Sequence, residues 1–179
     1  MRYAFPEQVE TARFTLRRAR IADAEAIFAG YATDPAVTRF LGYVPPASPE
    51  QTRAFLAQLE ADWEAGTRFA SVILRRGEAQ VLGMIEARVA TGMVGYGYVL
   101  ARAAWGRGCM SEVLRHHVDH ALSRPGIWRA EALCDVENHA SARVMEKAGM
   151  VREGVLRRRI TLPALSPEPR DALIYARCV

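Results

Sequence analysis

Apolar and polar residues alternate along Arg13-Phe14-Thr15-Leu16-Arg17-Arg18, and that period of two predicts a half-buried strand. Asp23 is placed to cap a helix running through about Tyr31. Asp34-Pro35 caps and opens a shorter helical turn reaching Phe40, and Pro45-Pro46 then interrupts the chain. A stronger helix start follows: Ser48 as N-cap, Pro49 at the first helical position and Gln51 completing a capping box. Bulky residues recur there at Phe55, Leu56, Leu59 and Trp63, and Gly66 ends the helix. Three strands follow, over residues 69–74, 81–89 and 94–100, with turns at Arg76-Gly77-Glu78 and Thr91-Gly92-Met93. They are expected to form an antiparallel meander. After Trp105 the period lengthens toward about 3.6. Met110, Val113, Leu114, His117, Val118, Ala121 and Leu122 then line one face of a helix over 106–123, stopped by Pro125-Gly126. Residues 130–134 read as a short apolar strand. Ala140, Val144 and Ala148 mark another helix, with Gly149 at its C-terminal end. The last strands are 151–160 and 172–178, separated by a proline-rich link from Pro163 to Pro169.

This element order predicts a mixed α/β fold, with residues 1–179 as one domain. The unit strand 94–100, helix 106–123, strand 130–134 has a right-handed parallel crossover as its natural geometry. A chain of this length hides roughly 70% of its extended surface on folding, so it needs no metal or disulfide staple. Half the residues are hydrophobic and a quarter charged, which excludes a disordered or collagen-like chain. No apolar run reaches the ~18 residues of a membrane span. The stretch Met1-Arg2-Tyr3-Ala4-Phe5-Pro6-Glu7 lacks the apolar core of a secretory leader. The expectation is a cytoplasmic protein with no membrane partner.

Charge changes that picture little. The net charge is +4, and Lys147 is the only lysine, every other basic residue being arginine. So small an excess is weak evidence for nucleic acid, and no DNA partner is expected. The densest run, Arg157-Arg158-Arg159, reads either as a solvated strand end or as a contact for an anionic substrate or RNA. Cys109, Cys134 and Cys178 form no CxxC pair, which argues against zinc or a redox dithiol; Cys134 and Cys178 sit in apolar runs as reduced core residues. His116 and His120 share a helix face without a third ligand, so no metal is expected.

The chemistry concentrates at two helix starts. Trp105-Gly106-Arg107-Gly108-Cys109-Met110-Ser111-Glu112 follows a strand and opens a helix. Gly106 and Gly108 let a ligand approach the backbone closely. The first helical amides lack partners and sit at the positive end of the dipole, so a phosphate or pyrophosphate fits there, with Arg107 adding charge. The plainer alternative is a glycine-rich turn that only starts the helix. Gly-Lys-Ser/Thr and a third glycine are both absent, so this is neither a Walker loop nor a dinucleotide fingerprint. The second start runs from Asn138 to Met150. Asn138 and Ser141 there either cap the helix or reach a ligand lying between the two helix starts. Two helix N-termini after adjacent parallel strands enclose a cleft outside the strand ends, a preferred ligand location.

Together these stretches resemble the GCN5-related N-acetyltransferase (GNAT) superfamily, and within it the branch that acetylates ribosomal-protein N-termini. The resemblance runs from Arg13 to Cys178. It rests on the order and spacing of Trp105-Gly106-Arg107-Gly108 with Ser111-Glu112, Asn138-His139-Ala140-Ser141 with Glu146-Lys147-Ala148-Gly149-Met150, Arg152-Glu153-Gly154, and Arg170-Asp171-Ala172-Leu173-Ile174-Tyr175. It implies acetyl-CoA as co-substrate. The pyrophosphate would sit on the loop from Gly106 through Arg107, Gly108, Cys109 and Met110 to Ser111. The pantetheine would pair with backbone near Val99 and Leu100, and Asn138 and Ser141 would face the pantetheine or thioester. The chain departs from the superfamily pattern at three positions. Trp105 replaces Gln/Arg, Met110 replaces a small residue and either narrows the phosphate approach or turns into the core, and Met145 replaces a proton-donating tyrosine.

The reaction implied is direct attack of a primary amine on the acetyl carbonyl, with positioning supplying much of the rate. Glu86 is the best carboxylate for a base, its alternative being a solvent-facing strand residue. Tyr98 relays a proton or packs, and Ser141 stabilises the departing thiolate. The acceptor is a peptide N-terminus, a polyamine or another small amine, on a surface carrying Arg39, Phe40, Tyr43, Trp63, Arg157 and Arg159. The enzyme would be a monomer or a homodimer. The competing class is a basic RNA- or ribosome-associated binding module with an inactive cleft.

Overall fold

A single sheet organises the chain in the computed structural model, which describes residues 3–179. Met1 and Arg2, the first two residues of the stretch read as carrying no leader, lie outside the described residues. The strands are β1 (Gln8–Glu10), β2 (Phe14–Arg18), β3 (Arg68–Arg75), β4 (Val81–Ala90), β5 (Met93–Leu100), β6 (Arg129–Asp135), β7 (Val151–Ile160) and β8 (Arg170–Cys178). Their spatial order is β1-β2-β3-β4-β5-β6-β8-β7. Every neighbouring pair is antiparallel except β5 and β6, which run parallel as the crossover requires. β1 was not legible in the pattern, because three residues carry no period.

Among the described residues five α-helices cover the two faces: α1 (Ala24–Ile27), α2 (Pro35–Thr38), α3 (Pro49–Ala65), α4 (Cys109–Leu122) and α5 (His139–Lys147). α4 and α5 cover the face carrying Ile85, Ala87, Val94 and Tyr96. α1, α2 and α3 pack over the face carrying Ala70, Val72, Met84 and Val99. No helix among the described residues is long and apolar enough to cross a membrane.

Five local expectations are corrected. Asp23 does not cap a continuous helix; its carboxylate takes the Arg17 guanidinium at 2.9 and 2.6 Å and the Arg20 amide at 2.9 Å. With that acceptor spent, residues 21–32 coil as a 3-10 turn, one α turn (α1) and a π turn. At α3 the capping box is displaced by one residue: Gln51 Oε1 accepts the Ala47 amide at 2.8 Å, and Ser48 makes no side-chain cap. Leu56, Leu59 and Trp63 are buried as expected, but Phe55 is exposed, beneath the Arg68 guanidinium at 5.6 Å. On α5 the buried stripe is Ala142, Met145 and Ala148, while Ala140 is exposed and Val144 only half-buried. Cys178, expected in the core, is exposed near the end of β8.

Candidate active site

β5 pairs with β4 over its whole length, Met93 to Leu100, but with β6 only from Met93 to Tyr96. β6 goes on pairing with β8 as far as Asp135. The two parallel strands therefore separate beyond Tyr96 and Ala132, and a gap opens between residues 97–100 and 133–135. The Ala101 amide donates to Leu82. With the β4–β5 register, that makes Val99–Met84 and Gly97–Glu86 the hydrogen-bonded pairs. The main-chain groups of Val99 thus face β4, and those of Tyr98 and Leu100 face the gap. Leu100 C=O already accepts Trp105 Nε1 at 2.7 Å, so the indole at the superfamily's Gln/Arg position fastens the loop to the strand end.

One cavity, of about 620 Å³, lies on the α4–α5 side of the gap. Gly106 and Gly108 hold φ of 72° and 71°, a left-handed backbone that other residues adopt at a cost. Gly108 is the N-cap of α4, and Glu112 is the first amide to bond back, to Gly108 C=O at 3.2 Å. The amides of Cys109, Met110 and Ser111 are left open for an anion. The side chains of Cys109 and Met110 are buried, so only their backbone faces the cavity, and Met110 turns into the core. Burial pushes the Cys109 thiol up to about 12, which leaves it unreactive. Arg13, at the start of β2, braces the loop. Its Nη1 donates to Arg107 C=O at 2.9 Å and its Nε to Glu112 at 2.6 Å. The charged side chains lining this cavity are Arg39, Arg143 and Lys147, with no carboxylate among them. Neither Arg143 nor Lys147 was assigned a site role from the sequence, where Lys147 stood out only as the lone lysine and as part of a family mark, although the two sit four apart on the face of α5 that Ala140 and Val144 also present to the cavity.

At the gap, Asn138 Oδ1 accepts the Ser141 amide at 3.1 Å and caps α5. Ser141 Oγ lies 2.7 Å from Tyr98 Oη, which also donates to Ser141 C=O at 3.3 Å. Burial holds the Tyr98 phenol well above its usual range, so it stays protonated and acts as a donor. Cys134, beside them, is pushed up to about 11 by burial and remains a thiol. Met145 is fully buried and lines neither cavity.

A second cavity, also about 620 Å³, lies on the opposite side of the gap and shares Tyr96, Gly97, Tyr98, Val99, Leu133 and Cys134 with the first. Phe40, Tyr43 and Phe55 supply aromatic wall. Glu86 lines it, but neither as a solvent-facing residue nor as a free base: it is 8% exposed, with Oε2 accepting Arg68 Nε at 2.6 Å and Oε1 held by Arg88. Gly97 makes room for this network, since a Cβ there would lie 2.8 Å from Arg88 Nη2 and 2.9 Å from Glu86 Oε1. Arg159 lines the cavity and Arg157 does not. Trp63 is absent from the site; it packs edge-on to Phe69 with the Arg18 guanidinium over its ring at 5.2 Å. His120 Nε2 meets Ala4 C=O at 3.2 Å, and no metal-ligand cluster occurs among the described residues.

Residues 13–151 match the family model described as an acetyltransferase (GNAT) domain. YoaA of Bacillus subtilis (strain 168), named an uncharacterized N-acetyltransferase, is 32% identical over 152 residues, covering 83% of this chain and 85% of that protein. The uncharacterized N-acetyltransferase p20 of Bacillus licheniformis is 28% identical over 157 residues, covering 84% of this chain and 86% of its own. Among solved structures, RimL, a ribosomal alpha-N-protein acetyltransferase in complex with coenzyme A, superposes with a TM-score of 0.85 at 23% identity, covering 97% of this chain and 98% of that one.

Proposed function

The chain belongs to the GNAT acetyltransferase family, and from that premise we propose that it moves the acetyl group of acetyl-CoA to a primary amine by direct attack in a ternary complex. The observation that carries this reading is the strand gap. It joins a cavity whose charged side chains are all cationic to a second cavity with aromatic walls, so two ligands can meet across it. The fold shared with RimL, which was solved with coenzyme A, supports the co-substrate and a place beside the ribosomal-protein branch.

In this reading the open amides of Cys109, Met110 and Ser111 hold the pyrophosphate, with Arg143 and Lys147 supplying countercharge. The Tyr98 amide and the Leu100 amide face the gap, where they pair with the pantetheine and polarise the acetyl carbonyl. The amine nitrogen forms its bond to the carbonyl carbon, and the carbon–sulfur bond breaks. The departing sulfur takes a proton from Ser141 Oγ, the proton shed by the nitrogen restores that hydroxyl, and the Tyr98 phenol holds it in place. Because Met145 lines neither cavity, its lack of a hydroxyl leaves this donor pair intact. The amine must arrive neutral. An α-amine with a pKa near 7.7–8.0 does so at little cost, whereas a lysine near 10.4 needs a base that Glu86, bound by two arginines, does not provide.

Release of free CoA thiol in the presence of a panel of amines tests the reading. Thermal unfolding with acetyl-CoA, against ATP and NAD as controls, tests the first half separately. A ligand at 100 times its Kd adds about 2.7 kcal/mol. For a chain this size that raises Tm by roughly 5–10 °C. A shift without thiol release for any amine would leave a binding protein and end the catalytic reading.

A further inference from the structure

The second cavity is lined by six charged side chains, and five of them have opposite partners. Glu86 serves Arg68 and Arg88, with Asp62 also 3.7 Å from Arg68. Glu131 takes Arg129 at 2.8 Å and Asp135 takes Arg170 at 2.7 Å. Arg159 has no carboxylate within ion-pair distance among the described residues.

The backbone that puts Arg159 there is built at a cost. Leu156 pairs with Ala172 and Ile160 with Arg170, so the three arginines 157–159 stand opposite the single residue Asp171. The extra length is absorbed at Arg158, whose φ of 47° makes it the one non-glycine residue in the left-handed region among those described. A side chain there is strained, and such strain persists only where neighbours hold it. Asp171 does so: its Oδ1 accepts the Arg158 amide at 2.9 Å. The Arg158 guanidinium turns to Glu168 at 3.3 Å, outside the cavity, and Arg157 does not line it either. A bulge beside a cavity re-aims a side chain. Of the whole arginine run, this one delivers a single unpaired guanidinium to the cavity wall.

We propose that Arg159 reads an anionic group, a carboxylate or a phosphate, carried by the acceptor near its amine. The proposal rests on the acetyltransferase reading and narrows its acceptor. It disfavours polyamines, which bring more positive charge to an unpaired cation, and it selects acidic peptide N-termini or small amines bearing a carboxylate or phosphate. Asp171 is a positioning residue that acts through the Arg158 bulge.

Three matched pairs of probes separate the sources of the anion: Ser-Glu against Ser-Gln peptides, alanine against alaninamide, and phosphoethanolamine against ethanolamine. Affinity is measured by calorimetry on the protein with and without CoA, so the readout does not depend on turnover. The expected result is at least a 5-fold preference for the anionic member of one pair. Arg159→Gln should abolish that preference and Arg159→Lys should restore part of it, both with acetyl-CoA affinity unchanged. Asp171→Ala should lose the preference, and Asp171→Asn, which keeps the acceptor oxygen, should recover it. No preference in any pair, or a preference that survives Arg159→Gln, overturns the proposal. Acetylation of amines without regard to a neighbouring anion would also overturn it while leaving the acetyltransferase reading intact. Absent acetylation counts against that reading alone.

Discussion

Replacing Glu86 separates two roles that predict opposite measurements. As a general base, its loss would lower kcat by roughly 100-fold or more and remove the basic step from the pH–rate profile. As a brace, its loss should appear first in stability. The carboxylate accepts Arg68 Nε at 2.6 Å and is held again by a second Arg68 nitrogen and by Arg88. Its side chain is 10% exposed, that of Arg68 24% and that of Arg88 58%. A charge-assisted bond in so sheltered a place contributes about 1.5–3 kcal/mol. The Arg88 contact, half in water, adds less than about 1 kcal/mol. Glu86→Ala should therefore cost about 2–4 kcal/mol, because it also leaves Arg68 half-buried with only Asp62, 3.7 Å away, for countercharge. For a chain of this length that is a fall in Tm of roughly 4–12 °C. Glu86→Gln keeps one acceptor oxygen and should lose about half as much. Under the brace reading kcat stays within about 3-fold for Glu86→Gln, and the KM of the amine rises as the cavity wall loosens. Calorimetric unfolding and steady-state kinetics on the two variants decide the matter. A kcat loss of 100-fold with Tm unchanged would refute the brace and restore Glu86 as the base.

Three further outcomes follow from the geometry. Ser141→Ala should lower kcat by roughly 10- to 100-fold with little change in the KM of acetyl-CoA, and Tyr98→Phe somewhat less, since it removes only the hydroxyl behind the donor; equal kcat in the double variant and the wild type would remove the pair from the mechanism. Gly108→Ala forces a side chain into φ of 71°, a strain of about 1–2 kcal/mol, and should weaken acetyl-CoA about 10-fold by tilting the amides of α4; unchanged affinity would place the phosphates elsewhere. His117 is fully buried, its Nδ1 against Val113 C=O at 3.0 Å and its ring stacked on Phe5, and burial pushes it down to about 3. The unfolded chain binds that proton near pH 6.5, so stability is fully present above 6.5 and falls as pH drops toward 3. Between pH 6.5 and 4.5 the loss from this group is about 2–3 kcal/mol, and His117→Leu should flatten that part of the Tm–pH curve; an unaltered slope would assign it to other groups.

The periodic parts of the fold were legible because the signal is local. The meander and α4 follow from a period of two giving way to one near 3.6. The glycine loop was legible too, since Gly106 and Gly108 announce a left-handed backbone before a helix. What escaped depends on which partner a side chain finds once the elements pack, and periodicity does not carry that. Asp23 looks like a cap until Arg17 claims its carboxylate. Glu86 looks like a free carboxylate until the antiparallel register brings Arg68 across from β3 to join Arg88 of its own strand. Arginine carries no left-handed preference, so the bulge at Arg158 exists only because Asp171 lies opposite in the next strand. On α5 the apolar marks misplaced the buried face, and Arg143 and Lys147 were hidden with it.

The gap between β5 and β6 has a physical cause that also bears on rate. Unpaired main-chain groups in a half-buried place are costly, and two parallel strands would normally close to satisfy them. Here each strand end is fastened to something else. Tyr96 Oη donates to His117 C=O at 2.8 Å and ties β5 to α4, while Tyr98 ties the next turn of the same strand to α5. Trp105 Nε1 occupies the Leu100 carbonyl. On the other side, β8 pairs with β6 as far as Asp135, whose carboxylate Arg170 holds from β8. Closing the gap would draw Tyr98 off α5 and the Leu100 carbonyl off Trp105 to gain a comparable number of bonds, so the open form persists without a ligand. A substrate that threads the gap then meets amides already aimed at it and spends little on ordering the site. The anchors of β5 are aromatic side chains reaching α4, α5 and the strand's own carbonyl, so Tyr96→Phe, which removes the hydroxyl bonded to α4 and keeps the ring that lines both cavities, should raise the KM of acetyl-CoA before it lowers kcat.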